Sequence, residues 1–411
     1  MQLSPGKTHW QSVVQLVLSI FGLVNLISSA LALGLLIFIG NSSQWLEAEP
    51  DRQLRLTAWL ALTVSLITLP SLVHAIRRLA RKPQSFTSTR WLLLAASLSC
   101  LALAPLLYLV YKQPIVFDAP LLRTVISCLA VALPLWWIVE LGRYKLKNGS
   151  VQRFWGLVNF QIFAGLPLVI FFEIALLVII FTVAGFWLVE QPEFKPLWMT
   201  IQTQLMVNPS DFSSITQSMI ALWQKPALQA GGLVSVAVLL PVLEELFKPL
   251  ALWFFIKQDW TPSEGFSAGL VCGAAFALME SLMAVSFVPA ETWLTTLAAR
   301  LGTGVLHTVT TGLTGWALVS AWRDKGYKKL ALIYLASTSL HGLWNFFAIY
   351  YGGANSALPF ISPDSILVKA APWVLGSLVL FMLGLLILMN RKLDRGQVPP
   401  VIPLSSPDTM G

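Results

Sequence analysis

Charge is the first scarcity. Only 11% of the 411 residues are Asp, Glu, Lys or Arg, where a soluble domain carries about 25%. That leaves too little ionic surface for a water-soluble globule of this length. It argues against a soluble enzyme, a disordered chain and a nucleic-acid-binding domain. Cysteine is scarce as well: Cys100, Cys128 and Cys272 lie far apart inside apolar runs. They form neither a zinc spacing nor a disulfide framework and read as small apolar packing residues. There are four histidines, and no HExxH signature. A fixed-period repeat is also lacking.

What the chain does contain is long apolar runs. Hydrophobic residues make up 56% of it, and the mean hydropathy is +0.73. Ten runs, at 12–39, 56–76, 91–111, 121–142, 161–189, 230–256, 265–287, 300–321, 330–351 and 370–390, are long enough for a hydrocarbon core of about 30 Å at 1.5 Å per residue. The expected fold class is all-α: a polytopic transmembrane helix bundle of about ten spans. The first run stays apolar beyond the Ala-Leu-Ala at 30–32 and reads as an uncleaved anchor.

Orientation follows from the basic loops. With the N-terminus inside, the inner segments hold 18 Lys and Arg, including Lys7, Arg77, Arg78, Arg143, Lys145, Lys257, Arg323 and Arg391. The outer segments hold 7: Arg52, Arg55, Lys112, Lys195, Lys225, Arg300 and Lys369. This bias places both termini inside. The formal charge of +8 is thus a topology signal, with no nucleic-acid partner implied. Five regions are expected: a five-span membrane region at 1–189, an outer interfacial segment at 190–229, a four-span core at 230–351, the last span within 352–390, and a disordered inner tail at 391–411.

Ionisable groups cluster in the 230–351 core. A charge at mid-bilayer costs about 2.5–3.5 kcal/mol on insertion scales, so such residues are candidates for function. Span six carries Glu244, Glu245 and Lys248, span seven Glu280, span eight His307, and span nine His341 and Asn345. Counted from the inner end of each span, Glu244 is about 18 Å deep, Glu280 about 22 Å, His307 about 21 Å and His341 about 17 Å. Four antiparallel helices thus place these groups in one band about 6 Å thick. Glu244 and Lys248 share a helical face and can pair, as do His341 with Asn345 and Phe276 with Glu280. Gly265, Gly269, Gly273, Ala277 and Ser281 form a small-residue ridge that lets membrane helices approach closely. Glu280 borders it and is expected to point into the bundle. Glu173 is also mid-span and reads as structural or accessory, while Glu140 and Arg123 lie near span ends and can snorkel to water.

The ordered motifs EExxK, FxxxE, His and HxxxN resemble the PrsW family of intramembrane proteases. They are similar, more distantly, to the CAAX-protease and bacteriocin-processing group. The matching residues are Glu244, Glu245, Lys248, Phe276, Glu280, His307, His341 and Asn345, within about 230–350. Lys248, in place of an Arg one residue later, favours the PrsW side. The resemblance implies hydrolysis of peptide bonds in membrane-embedded or membrane-anchored protein substrates, of which an anti-sigma-factor-like protein is one type. It also implies a multi-pass protein of a bacterial inner membrane.

Two mechanisms fit the residues. In one, zinc is held by His307, His341 and a glutamate, Glu280, with a second glutamate as base; the family's grouping with metalloproteases favours this one. In the other, Glu244 or Glu245 and a histidine activate water without metal, and Asn345 donates to the oxyanion. Three further classes would also use buried Glu and His. A proton-coupled transporter needs a continuous polar path and often a repeat. A haem carrier would use His307 and His341 but gives no use for the glutamates. A non-catalytic membrane binding protein would keep the cluster without turnover.

Overall fold

The computed structural model of the chain describes residues 10–43, 48–82, 85–87, 89–112, 119–208, 210–254, 260–355 and 361–396. Lys7, His9, Glu47, Lys257 and the tail beyond Gly396 lie outside these residues. The described residues are almost entirely helical. The first four helices are α1 (Trp10–Ser43), α2 (Ala48–Leu79), α3 (Arg90–Lys112) and α4 (Pro120–Gly142). α5 (Val151–Phe160) runs through a π-turn at Gln161–Gly165 into α6 (Leu166–Glu190). α7 (Lys195–Val207) and α8 (Phe212–Trp223) are short. Next come α9 (Pro226–Val234), a π-turn at Ser235–Leu239, α10 (Leu240–Phe247) and α11 (Leu250–Trp253). Four long helices close the chain: α12 (Pro262–Phe287), α13 (Ala290–Asp324), α14 (Tyr327–Asn355) and α15 (Ile366–Arg395).

Nine helical stretches among the described residues are long and apolar enough to cross a bilayer, with Val151–Glu190 and Pro226–Trp253 each taken as one stretch across its π-turn. The protein is therefore an integral, multi-pass membrane protein. The expected span at 300–321 falls in α13, which is not among the nine. Its composition has a structural reason. From Gly302 to Ala321 the helix is buried in the bundle, so it does not need an apolar exterior. Three of its buried threonines are satisfied within the helix: the hydroxyls of Thr308, Thr310 and Thr314 donate to the carbonyls of Gly304, Leu306 and Thr310 at 2.7, 2.9 and 2.9 Å. α13 also starts ten residues before the expected span. Arg300 accordingly lies inside a helix and not in an outer loop.

α12 and α13 make the most extensive pairing in the fold. The glycine ridge is the cause. A Cβ on Gly265 would lie 2.6 Å from the Gly315 carbonyl oxygen, and one on Gly269 would lie 2.9 Å from Gly312 Cα. At Gly273 a Cβ would collide with the backbone of His307 and Thr308. Only glycine permits this approach, and it brings the His307 turn against α12.

Two further expectations are corrected. Arg123 and Glu140 do not snorkel; both are buried. Arg123 donates to the Val288 carbonyl. Glu140 accepts from Arg143 and, at 3.1 Å, from Trp136 Nε1. A charge surrounded by protein donors has no need to reach water. The expected span at 230–256 is also not one continuous helix. Pro241 and Pro249 each lack an N–H and clash with the preceding turn. The backbone opens into the π-turn before Pro241 and breaks between α10 and α11 at Pro249.

A short antiparallel ribbon, β1 (Ser85–Thr87) with β2 (Lys147–Ser150), joins the α2–α3 and α4–α5 connections. Their pairing puts these two basic connections on the same side of the bundle. Beside the ribbon, Arg153 pairs with Glu264 at 2.9 Å. Glu264 also completes a capping box with Thr261 at the start of α12.

Candidate metal centre

α10 supplies Glu244, Glu245 and, at its C-cap, Lys248. α12 supplies Phe276 and Glu280, α13 His307, and α14 His341. The four motif segments, separated in sequence, meet in one cluster. Lys248 Nζ is at its middle: 2.7 Å from His307 Nδ1, 2.9 Å from Glu244 Oε2, 3.0 Å from Glu245 Oε1 and 3.4 Å from His341 Nδ1. It also lies 4.8 Å from the centre of the Phe276 ring, a cation–π contact.

Each imidazole is oriented by a carboxylate. His307 Nε2 is 2.8 Å from Glu280 Oε2. His341 Nδ1 is 3.0 Å from Glu245 Oε1. A carboxylate only accepts, so these nitrogens carry the ring protons. That leaves His307 Nδ1 and His341 Nε2 as lone pairs. The two rings meet edge to face at 5.0 Å, and His341 Nε2 lies 3.8 Å from Glu244 Oε1. Histidines that bind metal ions are held in this way, with the second nitrogen on a carboxylate.

Glu244, His307 and His341 present ligand atoms within 4.8 Å of one another. Glu280 is not in that set. It bonds the far nitrogen of His307 and pairs with Arg300 Nη2 at 2.5 Å. The three donors expected were His307, His341 and Glu280; the three that converge are His307, His341 and Glu244. The expectation gave Glu280 the role of ligand because depth alone cannot separate the inner and outer nitrogens of one ring.

The donor chemistry suits a divalent ion: two neutral imidazoles and one carboxylate form an open-sided set. Glu173 of α6 approaches Glu244 and adds a fourth carboxyl group beside Glu244, Glu245 and Glu280. Packing brings Glu173 there. Val169, one turn earlier, is buried with Phe276, and Phe172 stacks on Phe247 at 4.6 Å.

Exposure is graded across the cluster. The side chains of Lys248 and Glu245 are sealed at 0%, while Glu244 is 10% and Glu280 33% exposed. Access is therefore from the Glu280 and Arg300 side. An apolar cavity of about 670 Å³ between α2, α4, α5 and α12 takes no part. Its wall on α12, Val271, Ala274, Ala275 and Leu278, is the face opposite Glu280.

Asn345 does not join the cluster. Its Nδ2 donates to the Val236 carbonyl at 3.0 Å, in the π-turn that Pro241 opens. Gly342, beside His341, lets α14 approach the Ala237 carbonyl. These contacts fix the height of α14, and so of His341, against α10.

Two residues of the site were not read as such in the sequence. Arg300 counts in the sequence as an outer basic residue at the edge of span eight, although it lies two helical turns before His307 and on the same face. Glu173 showed mid-span placement but no partner.

Residues 176–375 match the family model described as PrsW family intramembrane metalloprotease. No curated protein and no solved structure gives a match. The match contains all four motifs and ends the ambiguity of the resemblance; Glu173 lies just before it.

Proposed function

Taking this membership of residues 176–375 in the PrsW family as the premise, we propose that the protein is an intramembrane metalloprotease whose metal site is Glu244, His307 and His341. The family supports peptidase activity in a membrane protein. The observation that carries the finer reading is the pair of carboxylate-held imidazoles that converge with Glu244. A divalent ion such as zinc, when bound there, supplies Lewis-acid polarisation of a scissile carbonyl.

The chain's own residues do the rest. Glu280 holds the proton of His307 on Nε2, and Arg300 holds Glu280 in place. Glu245 does the same for His341 at Nδ1. The sealed inner side, with Lys248 and Glu245 fully buried, excludes water from behind the donors. The half-open edge at Glu280 is where a peptide segment enters. The aligned depths of the motif residues favour a site near mid-membrane, and the substrate class is a membrane-anchored protein, an anti-sigma-factor-like protein among the possible members. A bacterial inner membrane is the location consistent with the family.

A proton-coupled transporter is less well supported: the ionisable groups around Lys248 pair with one another in a closed cluster. The test is cleavage of a membrane-anchored reporter by purified protein in detergent. Wild type is compared with Glu244→Gln, His307→Ala and His341→Ala. Cleavage by the wild type that each substitution abolishes supports the assignment; cleavage that survives all three refutes the site.

A further inference from the structure

Lys248 contacts two residues of the metal set, His307 and Glu244. Its Nζ lies 2.7 Å from His307 Nδ1 and 2.9 Å from Glu244 Oε2. His307 Nε2 is already committed to Glu280, so Nδ1 is the one lone pair the ring has left. A zinc ion on that nitrogen would lie about 2.0–2.1 Å away. The lone pair cannot serve an ion and an ammonium together.

We propose that Lys248 is a tethered cation that competes with the metal for His307 and Glu244, and that it withdraws onto Glu245 and Phe276 when an ion enters. The inference rests on the metal reading above. The direction of withdrawal follows from its other contacts. Lys248 is completely buried, so its ammonium has no route to water. Two partners outside the donor set lie within reach: Glu245 Oε1 at 3.0 Å and the Phe276 ring at 4.8 Å. Either one holds a desolvated ammonium. Lysine suits the task, since its charge is compact and its four-carbon stem flexible, where an arginine fork would be fixed. This accounts for the second glutamate and the phenylalanine of the motifs, neither of which belongs to the donor set.

In this arrangement the ammonium meets the His307 lone pair and the Glu244 carboxylate. It also sets a threshold that the ion must overcome. Metal affinity is therefore weaker than the donors alone would give.

The test is zinc affinity, measured by equilibrium dialysis with metal analysis on the full chain in detergent. Lys248→Met is expected to bind zinc at least tenfold more tightly than wild type. Lys248→Gln serves as the second variant should Lys248→Met fail to fold. Arg300→Met removes a nearby charge without freeing a donor, and is expected not to tighten binding. Phe276→Leu removes a place of withdrawal, and is expected to weaken it. Unchanged or weaker binding by both Lys248 variants overturns the proposal. Equal tightening by Lys248→Met and Arg300→Met also overturns it, because the effect would then be charge alone. If no form binds zinc, the competition and the metal reading both fall, while continued reporter cleavage by the wild type would leave the peptidase assignment in place.

Discussion

Glu280 Oε2 lies 2.8 Å from His307 Nε2 across the α12–α13 seam. The bond fixes which nitrogen of His307 carries the proton, and so which one is left with a lone pair. It is the clearest case here of a motif glutamate that acts through another residue.

Glu280→Ala should therefore lower both zinc affinity and reporter cleavage by about 10–100-fold, the usual effect of losing such an orienting group. Glu280→Gln should retain part of both, since its amide oxygen can still accept from Nε2. Zinc affinity unaltered by Glu280→Ala would remove the orienting role.

Arg300 acts one step further out. Its pair with Glu280, 2.5 Å long and partly exposed, holds the carboxylate against His307. Arg300→Gln should reduce cleavage less than Glu280→Ala does. In the Glu280→Ala background it should add almost nothing, because the two act in series. Additive losses in the double variant would show that Arg300 works independently, for instance on substrate.

Asn345 offers a choice between two roles. As an oxyanion donor its loss would cost about 10²–10³ in rate. As the residue that ties α14 to the Val236 carbonyl, its loss should cost less than tenfold and should lower thermal stability in detergent. We expect the smaller loss for Asn345→Ala, read from reporter cleavage together with the unfolding temperature.

The glycine seam predicts stability. Gly273→Leu forces a side chain into the His307 backbone, and overpacking of this kind costs about 1–3 kcal/mol or more. Its unfolding temperature should fall markedly. Gly185→Leu, at a position with nothing nearby, should leave it unchanged and is the control. Equal behaviour of the two would show that the close approach is not what holds α12 to α13.

Much of this was legible in the sequence, for physical reasons. Buried ionisable groups are costly in a membrane, so Glu244, Glu245, Lys248, Glu280, His307 and His341 stood out without any alignment. The ridge at Gly265, Gly269 and Gly273 announced the closest helix pair. What periodicity could not give was direction within a ring or across a bundle. Depth placed Glu280 and Glu244 in one band, but only packing shows that Glu280 takes Nε2 of His307 and that Glu244 converges with the two histidines. Arg300 was hidden by its neighbourhood: a helix as rich in Thr and Gly as α13 has a weak apolar signal, so its start was set too late. The unbroken apolar run at 230–256 hid the effect of Pro241 and Pro249, and with it the π-turn that occupies Asn345.

The central claim is that a metal ion at Glu244, His307 and His341 supports peptide hydrolysis. The most direct measurement is reporter cleavage by the wild type after treatment with a strong zinc chelator, followed by added zinc. The account predicts that cleavage is lost with the chelator and returns with zinc, and that His307→Ala and His341→Ala stay inactive in both conditions. Full cleavage in the presence of the chelator, with those two variants still inactive, would contradict the metal and leave a glutamate–histidine mechanism in its place.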